Sequence, residues 1–234
     1  VLFARVLIGA VPDLTKTIDF ERSEVFHLGP TGAKGWIYAA DNFMTTEARQ
    51  ILVTEVEPGS VSEGVLEVGD VILGIGENLF TSDARMALGW AIDEAESTES
   101  NGVLKLLRWR PVKDAEPRKG TLETVELKLR VMGSYSDTAP WKCPKTKLIL
   151  KDALKVIVES KDMGRLGATA LALLATGEKE HLALVREYLH NQKWASPELK
   201  ISVEIGGKQS WSSGFHNLLL TEYFLASGDE YVLP

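Results

Sequence analysis

Two short apolar runs, each closed by turn-forming residues, constrain the fold of this chain most. Ile51–Val56 is rich in β-branched residues and stops at Pro58-Gly59-Ser60, which predicts a β-strand followed by a turn. A second apolar run, Val71–Ile75, begins after Gly69-Asp70 and ends at Gly76-Glu77-Asn78. We therefore expect two neighbouring strands, with a corner at the first of these glycines, where the absence of a side chain relieves backbone strain.

Helical segments are predicted beside both strands. Val61–Val65 is long enough for about one helical turn between them. After the second strand, Thr81, Ser82 and Asp83 offer N-cap oxygens to a helix over Ser82–Ser97. Its apolar residues follow the spacing of one buried helix face: Ala84, Leu88, Ala91, Ile92 and Ala95.

In its letters and in the order of its elements, this stretch resembles a PDZ domain of the bacterial kind found in HtrA proteases and site-2 proteases. Val65–Ile72, which reads V-L-E-V-G-D-V-I, carries most of the resemblance. In that family Gly-Asp forms the corner before a central strand, which implies that Asp70 bonds neighbouring amides. Another small α+β domain with a V-G-D corner is the alternative.

Three further strands complete the predicted domain: Trp36–Ala40, Val103–Trp109 and Leu122–Val131. The last of them alternates apolar and charged residues, as a strand with one buried face does. The resemblance implies an α+β fold class, with a small, partly open PDZ-like β-barrel and two helices over residues 25–132. Residues 1–24 are expected to be an extended lead-in.

The resemblance also implies a peptide-binding groove. In PDZ domains, a glycine-containing loop presents backbone N–H groups to the terminal carboxylate of a ligand, and the following strand pairs with the ligand. Carried over to this chain, the binding residues are Lys34, Gly35, Trp36, Ile37 and Tyr38 of the loop and strand, and Ala84 and Leu88 of the helix.

The chain departs from the family pattern at Lys34, where the family usually has an apolar residue. Capture of a free C-terminus and pairing with an internal extended segment therefore remain alternatives. A tight glycine turn that only allows Trp36 to pack is a third interpretation. For Ala84 and Leu88, burial in the core is the alternative to a place in the groove.

The second half of the chain is predicted to be helical. Gly133–Pro144 is rich in turn formers, and beyond it the apolar period changes from strand-like to helical, which predicts a linker over residues 133–146. Residues 147–234 then form a helical-hairpin domain. The predicted apolar stripes are Ile149, Ala153, Val156 and Ile157; Leu166, Ala170, Leu173 and Leu174; and Leu182, Val185 and Leu189, with a fourth helix over about Gly214–Ala226.

An internal echo suggests that the helical hairpins repeat. Leu174–Glu178 reads L-A-T-G-E and recurs as L-A-S-G-D over Leu225–Asp229. Both copies place glycine where a helix ends and an acid where the next begins. The pattern resembles the hairpins of α/α-toroid domains, which implies part of a longer ring; chance similarity between two Ala/Leu-rich helices is the alternative. The pairing of the two domains resembles uncharacterised bacterial proteins, often exported ones, which implies a periplasmic or secreted location.

Charge and motifs narrow the function classes. The net charge of −7 argues against nucleic-acid binding, and no apolar run is long enough to span a membrane. The single cysteine, Cys143, forms no disulfide framework, and no recognised metal, phosphate or nucleophile motif is present. We expect no cofactor, no metal and no catalytic residue. Cys143 and His216 are both interpreted as structural; a nucleophilic Cys-His pair for Cys143 and a place in a toroid cavity for His216 are the alternatives. Glu94, Glu96 and Glu99 are interpreted as a solvated helix end.

Three functional hypotheses follow. The first is a binding module whose partner is an extended peptide, a protein C-terminus or a segment of the same chain. The second is the non-catalytic part of an enzyme whose toroid carries the active site outside these residues. The third is a structural domain whose groove is filled by the apolar segment Val1–Ala10.

Overall fold

The structure is a computed structural model, and it describes residues 13–16, 25–37, 49–115, 118–164, 167–195 and 207–233. The chain divides into two compact units, Val1–Lys145 and Thr146–Pro234. The division falls at the end of the linker predicted over residues 133–146. Val1–Ala10 and Tyr38 lie outside the described residues.

The first unit is an antiparallel sheet with one helix. Its elements are β1 (Phe26–His27), β2 (Ala33–Ile37), β3 (Ile51–Val56), β4 (Val71–Ile75), β5 (Asn78–Leu79), α1 (Ala84–Ala95), β6 (Val103–Pro111) and β7 (Gly120–Lys128). The strand order is β1-β2-β3-β4-β6-β7, and β5 pairs with β4 beside this path.

The sheet is open. The predicted α+β class is confirmed, but the partly open barrel is wrong: among the described residues, β7 pairs with β6 and does not return to β1. In the described part of the chain, β1 has two residues and pairs with β2 alone, which gives β7 no long edge on which to close. The two ends of the sheet therefore remain separate edges.

Helix α1 covers one face of the sheet, as its sequence predicts. The Asp83 carboxylate accepts a hydrogen bond from the Arg85 amide at 3.0 Å and so caps the first turn. Ala84, Leu88 and Ala95 are buried, and Ala91 and Ile92 are partly buried against the same core. The main core of this unit lies between α1 and the sheet, where it includes Ile51, Val53, Ile72, Leu104 and Leu127.

The connection between β3 and β4 is not helical. The Glu63 amide bonds to the Ser60 carbonyl and the Leu66 amide to the Ser62 carbonyl, so the segment is a series of turns. The helix predicted over Val61–Val65 is wrong because the positive φ of Gly64, +76°, breaks any helical run there. Among the described residues, α1 is thus the single α-helix of the sheet domain.

The corner before β4 has the expected form. Gly69 has a φ of +99°, a conformation that residues with side chains rarely adopt. The buried Asp70 carboxylate accepts a hydrogen bond from the Glu67 amide at 2.8 Å and two more from the guanidinium of Arg110. These bonds fix the entry into the central strand β4.

The second unit consists of α2 (Pro144–Ser160), α3 (Ala168–Leu174), α4 (Lys179–His190) and α5 (Gly207–Ser227); α2 begins two residues before the division. Its core contains Ala170, Leu173, Val185, Leu189, Leu219 and Tyr223. The four predicted helices are therefore present among the described residues, and the fourth begins earlier than Gly214.

The packed face of α2 differs from the prediction. Leu154, Ile157 and Val158 pack against the core, whereas Ile149 and Val156 are exposed. Helix α2 carries apolar residues on two faces, and periodicity alone does not decide which of them meets the neighbouring helices.

Candidate functional site

Strand β2 contains most of the residues that the family resemblance assigns to a peptide site. Lys34 lies opposite Glu55 on β3, and the two side chains form an ion pair of 2.8 Å. The hydrogen bond that Lys34 donates to the Glu55 carboxylate raises the pKa of Lys34. The ammonium group is therefore already engaged by a carboxylate of the same sheet.

Gly35 lies inside β2 rather than in a loop. It pairs with Phe26 of β1 on one side and with Val53 of β3 on the other. A Cβ atom at this position would lie 2.6 Å from Cγ2 of Ile51, so the close packing of β2 on β3 requires glycine here. The positive-φ glycines of the region are Gly29 and Gly32, which flank the short turn before β2.

The predicted side chains of the groove are buried. Ile37, Ala84 and Leu88 belong to the core beneath α1, with 3%, 0% and 4% of their surfaces exposed. Trp36 points to the other face of the sheet and packs in a second cluster with Leu52. These side chains support the fold, so a ligand in this conformation would have to use the main chain of β2.

The outer edge of β2 is only partly covered. Strand β1 pairs with Lys34 and Gly35, and no described strand pairs with β2 beyond them on that side. The amide of Leu28 bonds to the carbonyl of Ala33, which identifies Ala33, Gly35 and Ile37 as the residues whose polar groups point away from β3. Ile37 is therefore the position at which a further strand can pair.

The acidic end of α1 is less solvated than predicted. The Glu96 carboxylate is buried and lies 2.8 Å from the ammonium of Lys145, which also bonds to Asp93. Burial opposes the charge of Lys145, but the hydrogen bonds to Asp93 and Glu96 outweigh it and raise its pKa. Lys145 also lies 4.7 Å above the ring of Tyr135. The ammonium of Lys145 is therefore paired with two carboxylates of its own unit.

In the second unit, several polar side chains surround the carboxylate of Asp229, which the sequence marked only as the acid of the repeated corner. The Asp229 carboxylate accepts hydrogen bonds from the Tyr223 hydroxyl at 2.6 Å and from the His190 ring at 2.9 Å, and pairs with Arg186 at 3.4 Å. The hydrogen bond from Tyr223 lowers the pKa of Asp229 to about 2. Burial raises the pKa of Tyr223 to about 12. Asp229 also lines a cleft of about 580 Å³ with Lys179.

The echoed segments form matching corners. The Thr176 hydroxyl bonds to the Leu173 carbonyl and accepts from the Glu178 amide; the Ser227 hydroxyl bonds to the Tyr223 carbonyl and accepts from the Asp229 amide. Between them Gly177 and Gly228 have φ values of +69° and +68°. The similarity of the two segments is therefore one of structure as well as of letters.

The histidines and the cysteine are held by neighbours within their own units. The ring of His181 lies 2.7 Å from the Thr176 hydroxyl, and His216 stacks on Trp194 with 3.9 Å between ring centroids. Burial lowers the pKa of His216. Cys143 is buried, and its sulfur accepts from the Ser136 amide. In the described residues, no group of three potential ligands is placed to hold a metal.

Comparison with known proteins reaches the second unit alone. A family model described as a domain of unknown function (DUF6288) matches residues 146–234. No curated protein and no solved structure matches the chain. None of the described helices is long and apolar enough to cross a membrane. The chain is thus similar to the DUF6288 family over its helical unit, Thr146–Pro234.

Proposed function

We propose that the first unit is a PDZ-like peptide-binding module that recognises an extended segment by adding it as a β-strand to β2. The observation that carries this proposal is the outer edge of β2. Strand β1 covers only two residues there, and the edge at Ile37 has no partner among the described strands. An uncovered strand edge is a template for pairing with another extended chain.

The ligand is an internal segment rather than a free C-terminus. Carboxylate capture requires free amides in a loop or an available positive charge. Here Gly35 is part of a strand ladder, and the Lys34 ammonium is paired with Glu55. We therefore expect the terminal carboxylate of a peptide to contribute little to its affinity.

The main chain supplies most of the affinity. Trp36, Ile37, Ala84 and Leu88 are all buried, so they do not offer open side-chain pockets to a ligand. Hydrogen bonds along a strand edge depend on the ligand having an extended backbone and only weakly on its sequence. Binding peptides are thus expected to share β-propensity and to lack proline at the pairing positions.

A peptide-library screen on the whole chain tests this proposal, with each peptide prepared in free-acid and amidated form. The expected result is a set of extended peptides whose binding is unchanged by amidation. Loss of binding on amidation would contradict an internal-strand ligand. Absence of binding by the folded chain would contradict the peptide-binding module itself.

A proline on the other sheet edge tests whether the ligand binds there instead. The hydrogen bonds from Val112 to Lys119 and from Leu129 to Gly102 fix the ladder between β6 and β7. By this alternation the amide of the exposed Leu122 points away from β6. Leu122→Pro removes that outward amide and should leave peptide binding unchanged. Binding that is lost in this variant would place the ligand on β7.

For the helical unit we propose an architecture of stacked hairpins of the α/α-toroid type. The support is the pair of matching corners, each with a left-handed glycine followed by an acid. Repeat proteins build each unit on such a recurring corner. The acids and histidines of these corners bond to one another, and nothing in that arrangement favours an active site over a structural role.

A further inference from the structure

The face of the sheet opposite α1 carries a small second core with an unusual member. Leu14, from the polar segment Asp13–Lys16, is 1% exposed there. Its side chain packs with Trp36, Leu52 and Val71, and Leu73 and Trp109 lie at the margin. This cluster is separate from the core beneath α1. A single leucine of the lead-in thus completes a pocket formed by the strands.

Side chains of the sheet domain also hold the main chain of Leu14. Its N–H donates to Oε1 of Gln50 at 2.8 Å, and its carbonyl accepts from the guanidinium of Arg118 at 2.8 Å. Arg118 lies 5.0 Å above the Trp109 ring. Both backbone groups and the side chain of one residue are therefore recognised, which is how a binding site holds an anchor residue of a peptide.

The segment around Leu14 has its own local structure. The Asp13 carboxylate accepts from the amide and the hydroxyl of Thr15, and the Lys16 amide bonds to the Asp13 carbonyl. In the described part of the chain, the hydrogen bonds that join this turn to the sheet are those of Leu14. A preformed turn with one anchor loses little conformational freedom when it docks.

We propose that this pocket is a docking site for a leucine-bearing turn, and that Asp13–Lys16 is its resident ligand. The recognised chemistry is an aliphatic side chain flanked by a backbone donor for Gln50 and a backbone acceptor for Arg118. A peptide with the same turn binds in trans when the resident leucine is removed. This pocket is formed by side chains on the face of the sheet opposite α1, whereas the peptide site proposed above uses the main chain at the edge of β2. Either proposal can therefore fail without the other.

The turn Asp13–Lys16 occupies the pocket in the intact chain because it belongs to the same chain as the strands that form the pocket. Residues 17–24 connect the turn to the strand domain, and a tether of this length holds a ligand at an effective concentration on the order of millimolar. A free peptide of moderate affinity therefore does not displace the resident turn. The test must use a chain whose own leucine is removed.

The experiment measures binding of a synthetic peptide, residues 11–18, to the Leu14→Ala chain by titration calorimetry and tryptophan fluorescence. The peptide should bind this variant at least about tenfold more tightly than it binds the unmodified chain, because the tethered competitor is gone. A peptide with aspartate in place of leucine should not bind. Adding Arg118→Ala or Gln50→Ala to the variant should weaken binding and leave its circular dichroism unchanged.

Leu14→Ser serves as a second vacated form if the alanine variant folds poorly. If the variants fold and do not bind the peptide, the proposal is overturned. It is also overturned if neither variant folds. In either case Leu14 would be a fixed core residue and not an exchangeable ligand.

Discussion

At the scale of single residues, Asp229 and its partner Tyr223 are two described groups of the helical unit whose pKa values are strongly shifted. The Asp229 carboxylate caps the short helical turn Glu230–Val232 by accepting a hydrogen bond from the Tyr231 amide. The same carboxylate accepts a hydrogen bond from the Tyr223 hydroxyl. Hydrogen bonds to the charged form stabilise it, which is why the pKa of Asp229 lies near 2. The folded unit therefore binds a proton at this carboxylate less readily than the unfolded chain does.

The pH dependence of stability follows from this difference. A carboxyl group with a lowered pKa stabilises the fold above its unfolded pKa, and this contribution disappears as the pH falls through the folded value. Asp229→Asn should lower the free energy of unfolding by on the order of 2 kcal/mol at neutral pH. The difference in the free energy of unfolding between the variant and the unmodified chain should disappear between about pH 5 and pH 1, as measured by denaturant unfolding at each pH.

The exposed neighbour Glu230 supplies the control for this comparison. Glu230→Gln removes a carboxylate from the same short turn but not from the cluster around Tyr223. A loss of stability equal to that of Asp229→Asn, or a stability difference that is undiminished at about pH 1, would show that the cluster does not stabilise the charged form.

At the scale of elements, β2 is defined by how closely it approaches β3. Gly35 sits where a Cβ atom would overlap Ile51 and approach the Leu52 carbonyl. The shortest of these contacts is with Cγ2 of the fully buried Ile51, and the Leu52 carbonyl oxygen belongs to the backbone, so β2 must move to make room. The glycine therefore fixes the position of the edge to which a ligand strand would add.

Gly35→Ala should destabilise the first unit by about 1–3 kcal/mol, because overpacking shifts β2 from β3. Gly89→Ala is the matched change on the exposed side of α1, where an added Cβ has nothing within 4 Å. It should be neutral or stabilising by up to about 1 kcal/mol, since alanine favours the helix. Urea unfolding of the two variants measures both effects. Equal effects would refute close packing at Gly35.

Local signals in the sequence were sufficient for several elements. Strands β3 and β4 were predicted with their observed bounds, because polar or turn-forming residues flank each apolar run. Helix α1 was predicted over Ser82–Ser97 with Asp83 as one of three candidate caps; it forms over Ala84–Ala95 with Asp83 as its cap and with the predicted face buried. In these cases the information lies within a few residues of the element itself.

Contacts between distant residues were not predictable in this way. The bonds of Leu14 join it to Gln50 and to Arg118, 36 and 104 residues away in the chain. The burial of Glu96 depends on Lys145, which follows the linker. Nothing near Leu14 or Glu96 marks such a partner, so a lone leucine was interpreted as lead-in and a glutamate as solvated. The candidate site residues of β2 were proposed from the family resemblance, but the burial of Trp36 and Ile37 is visible only in the structure.

At the scale of the whole molecule, the chain combines a helical unit with repeated corners and a sheet unit in which no described strand pairs with the outer edge of β2 at Ile37. We propose that this edge binds an extended segment through its main chain. Backbone pairing of this kind has a period of two residues along the ligand, because alternate amides of a strand point to opposite sides. A side-chain pocket imposes no such period.

The most direct measurement is therefore an N-methyl scan of a binding peptide against the whole chain. Each amide hydrogen of the peptide is replaced by a methyl group in turn, and the dissociation constant is determined. Strand addition opposite Ile37 predicts that methylation of the peptide amide facing Ile37 weakens binding by about tenfold or more, while the two adjacent positions, whose amides point away, tolerate it. Uniform tolerance, or an equal loss at adjacent positions, would contradict strand addition to β2.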